Sequence, residues 1–350
     1  MKHTFASTYK QEDGPVYLDC NATAPTEPCV QEAVVQWMTD GLGNAGSRTH
    51  EYGLRAKRAV QLAREQVAAV VGATGDEVVF TSGATESNNI ALLGLAAFGE
   101  ESNRRHIIST TIEHKAVLEP LEVLEAKGFT LTLVSPDSSG RIAPEAIADA
   151  LRPDTLLVSV MHANNETGAR QPLLEIAELL KDSDAYFHVD AAQGYGKDLE
   201  PLRSERIDLI SVSGHKIYGP LGVGALVARR RGFKRAPLKP IMYGGGQERG
   251  LRPGTLPVPL IVGLYVQRVR TREAIASIGA GVAVVAVDQI TAGSEGVAWL
   301  TPAMLGLAAA LTARHRHRLA ILGNAARTLG AGGARRRALS GRRGLVVRHV

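Results

Sequence analysis

At 350 residues, 45% of them hydrophobic and 21% charged, the chain can bury a large core and is neither disordered nor fibrous in composition. Its two cysteines, Cys20 and Cys29, exclude a disulfide framework and suit a reducing cytosol. The formal net charge of +5 hides an asymmetry: from Val266 onward thirteen arginines and no lysine face only Glu273, Asp288 and Glu295, so the preceding body is mildly acidic. Met1 to Gly14 is polar, without a signal-peptide pattern, and the apolar run Ile275–Val287 is too short to span a bilayer. No membrane association is expected, and a cytoplasmic location is.

In chain order, Val16–Asp19 reads as a short extended segment, Asn21–Pro25 as a turn and Glu27–Met38 as a helix. A glycine-containing loop over Gly41–Gly53 leads to a second helix over Leu54–Val71. Strands are expected at Glu77–Thr81, His106–Ser109, Thr130–Val134, Thr155–Met161, Tyr186–Val189 and Ile207–Val212. Helices are expected after Ser82–Asn89 to about Ala97, and over Lys115–Lys127, Pro144–Leu151 and Leu173–Leu180. Gly224–Ala228 is expected to pair antiparallel. This alternation predicts an α/β protein with a mostly parallel sheet between helices, and such sheets bind ligands at the carboxyl ends of their strands. There is no internal repeat.

Six stretches at predicted strand ends carry chemistry. Lys216 follows a buried strand and precedes the turn Tyr218-Gly219-Pro220. Desolvation there favours a neutral amine, which can form a Schiff base with an aldehyde cofactor. Ser82-Gly83-Ala84-Thr85 lies between a strand and a helix, where free backbone N–H groups bind anions, although a Ser or Thr at that position also serves as a plain N-cap. Asp190 ends a buried strand and needs a cationic partner. A protonated pyridine nitrogen would serve, and a helix-capping role is the alternative. His114 sits just past a strand, where an imidazole could stack on a flat ring, and Asn165 offers an amide in the same layer. The loop Tyr243–Thr255 is glycine-rich and ends in a hydroxyl. Together these make the inventory of a pyridoxal-phosphate site; no metal ligands are assigned.

At this point the sequence resembles the cysteine desulfurases of the class-V aminotransferase group, the NifS/IscS-like enzymes. The resemblance runs from about Val16 to Val262. It is carried by Tyr-Leu-Asp-x-Asn-Ala-Thr at 17–23, Ser-Gly-Ala-Thr-Glu-Ser-Asn-Asn at 82–89 and Glu-His-Lys-Ala-Val-Leu at 113–118. It continues through Asn-Asn-Glu-x-Gly at 164–168, His-Val-Asp-Ala-x-Gln at 188–193, Ser-Gly-His-Lys-Ile-Tyr-Gly-Pro at 213–220 and Arg-x-Gly-Thr-Leu-Pro at 252–257.

The resemblance implies the fold type I of pyridoxal-phosphate-dependent transferases, a seven-stranded-type sheet in a large domain over residues 16–262, and a homodimer. Lys216 would carry pyridoxal 5'-phosphate as a Schiff base. Ala84, Thr85, Ser213 and His215 would hold the phosphate, with Thr255 reaching over from the partner subunit. His114 would stack on the ring and assist proton transfer. Asp190 would pair with the pyridine nitrogen, Gln193 with the ring oxygen, and Asn165 would orient the substrate end. The implied reaction takes L-cysteine to L-alanine and hands sulfur, as a persulfide, to an acceptor protein for iron–sulfur assembly, tRNA thiolation or DNA phosphorothioation.

The family pattern fades after Leu264. No cysteine follows Cys29, whereas the family carries its nucleophilic cysteine on a loop in the later part of the chain. Residues 263–350, at the position of the family's small domain, are Arg-, Ala- and Gly-rich, as an out-of-frame translation of a GC-rich gene would be. Residues 1–15 form a separate N-terminal segment. Three readings follow: a desulfurase impaired by the missing thiol, another class-V lyase or aminotransferase that needs no thiol, and an inactive scaffold whose basic tail binds nucleic acid. Cys20, beside Asn21, is the alternative thiol.

Overall fold

The computed structural model describes Tyr17 and residues 19–264. The N-terminal segment, the basic tail and the region expected to carry the family's thiol lie outside the described residues.

Helices α1 (Pro28–Thr39) and α2 (Glu51–Val70) precede β1 (Val78–Thr81), α3 (Ala84–Leu93) and α4 (Ala96–Glu101). Then come β2 (His106–Thr110), α5 (Lys115–Ala126), β3 (Thr130–Val134), α6 (Pro144–Ala150), β4 (Thr155–Met161) and α7 (Leu173–Leu179). β5 (Tyr186–Asp190), β6 (Leu209–Ser213) and β7 (Gly224–Ala228) complete the main sheet. A short hairpin of β8 (Arg230–Arg231) and β9 (Lys234–Arg235) and the helix α8 (Val258–Gly263) follow.

The sheet has seven strands in the order β1-β7-β6-β5-β4-β2-β3. β7 runs antiparallel to both its neighbours, and the other pairs are parallel. This is the architecture expected from the alternation of strands and helices, with small shifts in the bounds. The apolar run expected as one helix to about Ala97 is two, broken at Gly94 and Leu95. A Cβ at Gly94 would stand 3.0 Å from the Lys239 carbonyl oxygen, and Lys239 N–H donates to the Gly94 carbonyl at 2.9 Å. The chain therefore bends where another segment passes close to it.

Both faces of the sheet are covered, which is why its central strands read as continuous apolar runs. All seven residues of β4 are buried, while in the edge strand β3 only Val134 is. Alternate residues feed two cores. Val78, Val158, Val189, Ile210 and Val227 pack with α2, α7 and α8. Val79, Leu157, Leu209 and Leu226 pack with α3 and α5. The period of two is the ordinary pleat.

The α3/α5 face turns polar toward the carboxyl ends of the strands. Ser109 Oγ donates to the Ser159 carbonyl at 3.0 Å, Ser159 Oγ lies 2.8 Å from His188 Nδ1, and His188 Nε2 lies 3.0 Å from Ser211 Oγ. This buried row crosses β2, β4, β5 and β6 two residues before the strands end in Met161, Asp190 and Ser213. Burial pushes the His188 imidazole down to about 4, so at neutral pH one ring nitrogen donates and the other accepts.

Candidate active site

A cleft of about 710 Å³ opens at these strand ends. The turn after β1 forms one wall. Gly83 begins α3, and the first N–H groups of a helix have no intrahelical partner, so they are available to an anion. The turn is tightly seated: a Cβ at Gly224 would come 2.6 Å from Gly83 Cα. Glycine there lets β7 touch the turn that carries Ala84 and Thr85, and both line the cleft. Glu86 lies in the first turn of α3, but its carboxylate is taken up by Arg252, whose Nε donates at 2.9 Å, and by Ser82 N–H.

Asp190 closes β5 at 6% exposure. Asn88 Nδ2 donates to its Oδ2 at 2.8 Å and Ala192 N–H to its Oδ1 at 2.9 Å. Among the described residues no Arg or Lys forms an ion pair with it. Asn88 Oδ1 is buried without a hydrogen-bond partner. A buried carboxylate held only by neutral donors suits a cationic heterocycle.

Lys216 stands in a helical turn just past β6. Burial pulls its ammonium pKa below the usual lysine range, against the opposing pull of Asp190, Glu166 and Asp19. Its neighbour His215 is tied to the Asn21–Pro25 turn: Thr23 Oγ1 lies 2.9 Å from His215 Nδ1, and Ala24 N–H donates to the His215 carbonyl at 2.8 Å. Tyr218, just beyond, takes a left-handed backbone at φ 62°, a conformation costly for a side chain of that size.

His114 is the N-cap of α5, and its Nδ1 accepts the Ala116 N–H at 3.0 Å. The neutral ring therefore carries its hydrogen on Nε2. Gln193 donates from Nε2 to the Asn21 carbonyl at 2.9 Å, and Asn165 donates to Glu166 at 2.6 Å. His114, Asn165, Asp190, Gln193, Ser213, His215 and Lys216 all line the one cleft. Thr255 does not; it is exposed on the surface of its own chain. Cys20 is half-buried, and burial raises its thiol pKa, with Lys197 nearby opposing the shift.

The residues fit pyridoxal phosphate on the chemistry of the donor set: a helix start for a phosphate, a desolvated lysine for an aldehyde and a buried carboxylate without a cation for a pyridine nitrogen. Four supporting residues carry no role in the sequence reading: Asn88, Glu113 and His188, which lie inside the quoted motifs, and Ser211. His188 and Ser211 left a signal, being polar residues two positions before Asp190 and Ser213 in otherwise apolar strands.

The family profile for aminotransferase class-V matches residues 16–267. The chain belongs to that family, whose members depend on pyridoxal phosphate. It is 50% identical over 253 residues to the mitochondrial cysteine desulfurase of Drosophila melanogaster, a match covering 72% of this chain and 54% of that protein. The chain thus spans about half the length of the curated relatives it matches. Among solved structures, DndA from Streptomyces lividans is 57% identical, with a TM-score of 0.65 over 78% of this chain and 75% of that one. SspA in complex with cysteine is 42% identical, with a TM-score of 0.66 over 71% of each chain. The fold is therefore that of the fold type I pyridoxal-phosphate enzymes. No helix among the described residues is long and apolar enough to cross a membrane.

Proposed function

We propose that this chain is a pyridoxal-phosphate-dependent cysteine desulfurase, which takes L-cysteine to L-alanine and passes the sulfur to an acceptor thiol. The carbon–sulfur bond of the substrate breaks, a hydrogen replaces sulfur on carbon, and the acceptor thiol becomes a persulfide. One observation carries the reading: Lys216, Asp190, His114 and the start of α3 converge on a single cleft. The likeness to the Drosophila desulfurase and to the cysteine-bound SspA supports the choice of substrate.

When bound, pyridoxal phosphate supplies an electron sink for the bonds around the substrate's α-carbon. Asp190 would pair with the pyridine nitrogen, and Asn88 and Ala192 N–H hold that carboxylate in place. The α3 N–H groups, Thr85, Ser213 and His215 would hold the phosphate. Lys216 Nζ would take the aldehyde carbon, and its lowered pKa makes the neutral amine accessible. His114 would stack on the ring, with Nε2 as the atom free to move a proton, since Nδ1 accepts the Ala116 N–H. Gln193 would bind the ring oxygen and Asn165 the substrate end. Thr255, exposed and outside its own cleft, serves the phosphate of a partner subunit in a homodimer. Residues 16–262 form the cofactor domain. The chain acts in the cytoplasm and hands its sulfur to an acceptor protein.

The test supplies L-cysteine and a reductant to the cofactor-loaded protein and measures alanine and sulfide. Wild type should yield both, and Lys216→Ala neither. A yellow, cofactor-loaded wild type that produces no alanine would overturn the desulfurase reading. Loss of sulfide in Cys20→Ala would assign the persulfide-bearing thiol to Cys20.

A further inference from the structure

We propose that Glu113 is a positioning residue of this site: its carboxyl group ties the β2–α5 turn to the last residue of β4 and so fixes where the neighbouring His114 ring stands over the cleft. This rests on the reading above, in which the cleft takes pyridoxal phosphate.

Glu113 does not line the cleft and is 6% exposed. Its Oε1 accepts two hydrogen bonds, from Thr110 Oγ1 at 2.8 Å and from Met161 N–H at 2.7 Å. Thr110 ends β2 and Met161 ends β4, so one oxygen joins the ends of two neighbouring strands. A second tie runs beside it: Asn164 Nδ2 donates to the Ile112 carbonyl at 3.0 Å. The two residues before His114 are thus both held to the chain leaving β4. The residue after the next, Ala116, holds the imidazole itself through its N–H. His114 is fixed from both sides, and the Glu113 clamp is the only one of these ties that is fully buried.

The other oxygen, Oε2, is buried and has no hydrogen-bond partner. An ionised carboxylate in that state would leave half its charge uncompensated in a dry interior. The neutral acid avoids this and keeps Oε1 as the acceptor. Burial, with the Asp190 carboxylate adding to it, pushes the group up to about 8, in agreement with that geometry. The clamp therefore needs a neutral acceptor of this length, and a glutamine would supply one.

The experiment titrates pyridoxal phosphate into the cofactor-free wild type, Glu113→Gln, Glu113→Ala and Thr110→Val. It reads the dissociation constant and the visible circular dichroism per bound cofactor, with the melting temperature of each cofactor-free form as a control for folding. Glu113→Gln should stay within about twofold of wild type in both readings. Glu113→Ala should bind roughly tenfold or more weakly and show a diminished dichroic band. Thr110→Val, which removes one donor and keeps the volume, should move both readings in the same direction by less, and it stands in if the alanine variant does not fold. A folded Glu113→Ala with the wild-type band and affinity would overturn the proposal, as would a Glu113→Gln as impaired as the alanine variant. A wild type that takes up no cofactor overturns the underlying reading, and the wild-type titration alone reveals it.

Discussion

The two ends of the sheet treat a buried aspartate in opposite ways. Asp208, just before β6, is 3% exposed and saturated: Arg206 donates at 2.8 Å, Arg231 at 2.6 Å and the Phe187 N–H at 2.7 Å. The arginines there go on to cap carbonyls, with Arg206 reaching Leu180 and Arg229 reaching Leu202. At the carboxyl end, Asp190 is nearly as buried but has only two neutral donors. A structural charge is neutralised within the chain. A charge left without a counter-ion in the described residues costs stability, and such a cost marks a place where a ligand completes the arrangement.

Substitutions at the two ends should break this comparison in opposite directions. Asp208→Ala strands two arginines and should cost about 3–5 kcal/mol of folding free energy in a denaturant titration. The absorption band of bound cofactor in the folded fraction should be unchanged. Asp190→Asn should leave stability close to wild type, because it removes an unpaired charge, keeps an acceptor for Ala192 N–H, and its amide can donate to the unpartnered Asn88 Oδ1 once that amide flips. It should lower alanine formation by roughly 10²- to 10³-fold, about 3–4 kcal/mol in the barrier. If Asp190→Asn destabilises as much as Asp208→Ala, the carboxylate is structural and the contrast between the ends fails.

The strands were legible in the sequence because a sheet covered on both faces leaves uninterrupted apolar runs, as in Thr155–Met161. Lys216, Asp190 and the Ser82–Thr85 turn were legible because each is a polar group placed where an apolar strand stops. What stayed hidden was the support. Asn88 lies on α3 and meets Asp190 across 102 positions, a pairing that only the fold creates. Glu113 looks like a surface residue beside a charged helix, and its burial follows from the approach of β4. The break at Gly94 depends on the passage of Lys239, which no local pattern announces. β6 starts at Leu209, two residues past the expected Ile207, because Asp208 spends its backbone and side chain on closing the strand against Phe187.

The smallest of these effects separates the two buried titratable groups beneath the site, and it needs both variants. His188 sits at about 4 when folded, below its ordinary value of about 6.5. The unfolded chain takes up that proton first as pH falls, so this histidine withdraws stability from pH 6.5 down to 4, about 2 kcal/mol between pH 7 and 5. Glu113 works in the other direction. With its pKa raised to about 8, the folded chain retains a proton that the unfolded chain releases above about 4.5. Its contribution is present at low pH and fades as pH rises toward 8, again by about 2–3 kcal/mol between pH 5 and 7. The two slopes oppose each other, and the imidazoles of His106, His162 and His215, which burial also holds below their ordinary value, add to the His188 side. His188→Asn, which keeps polar atoms for Ser159 and Ser211, should lose stability relative to wild type as pH rises. Glu113→Gln should gain stability relative to wild type over the same interval. Urea titrations at pH 5, 6 and 7 on the three proteins measure these slopes. Parallel curves would mean that neither group is held in the charge state its surroundings dictate.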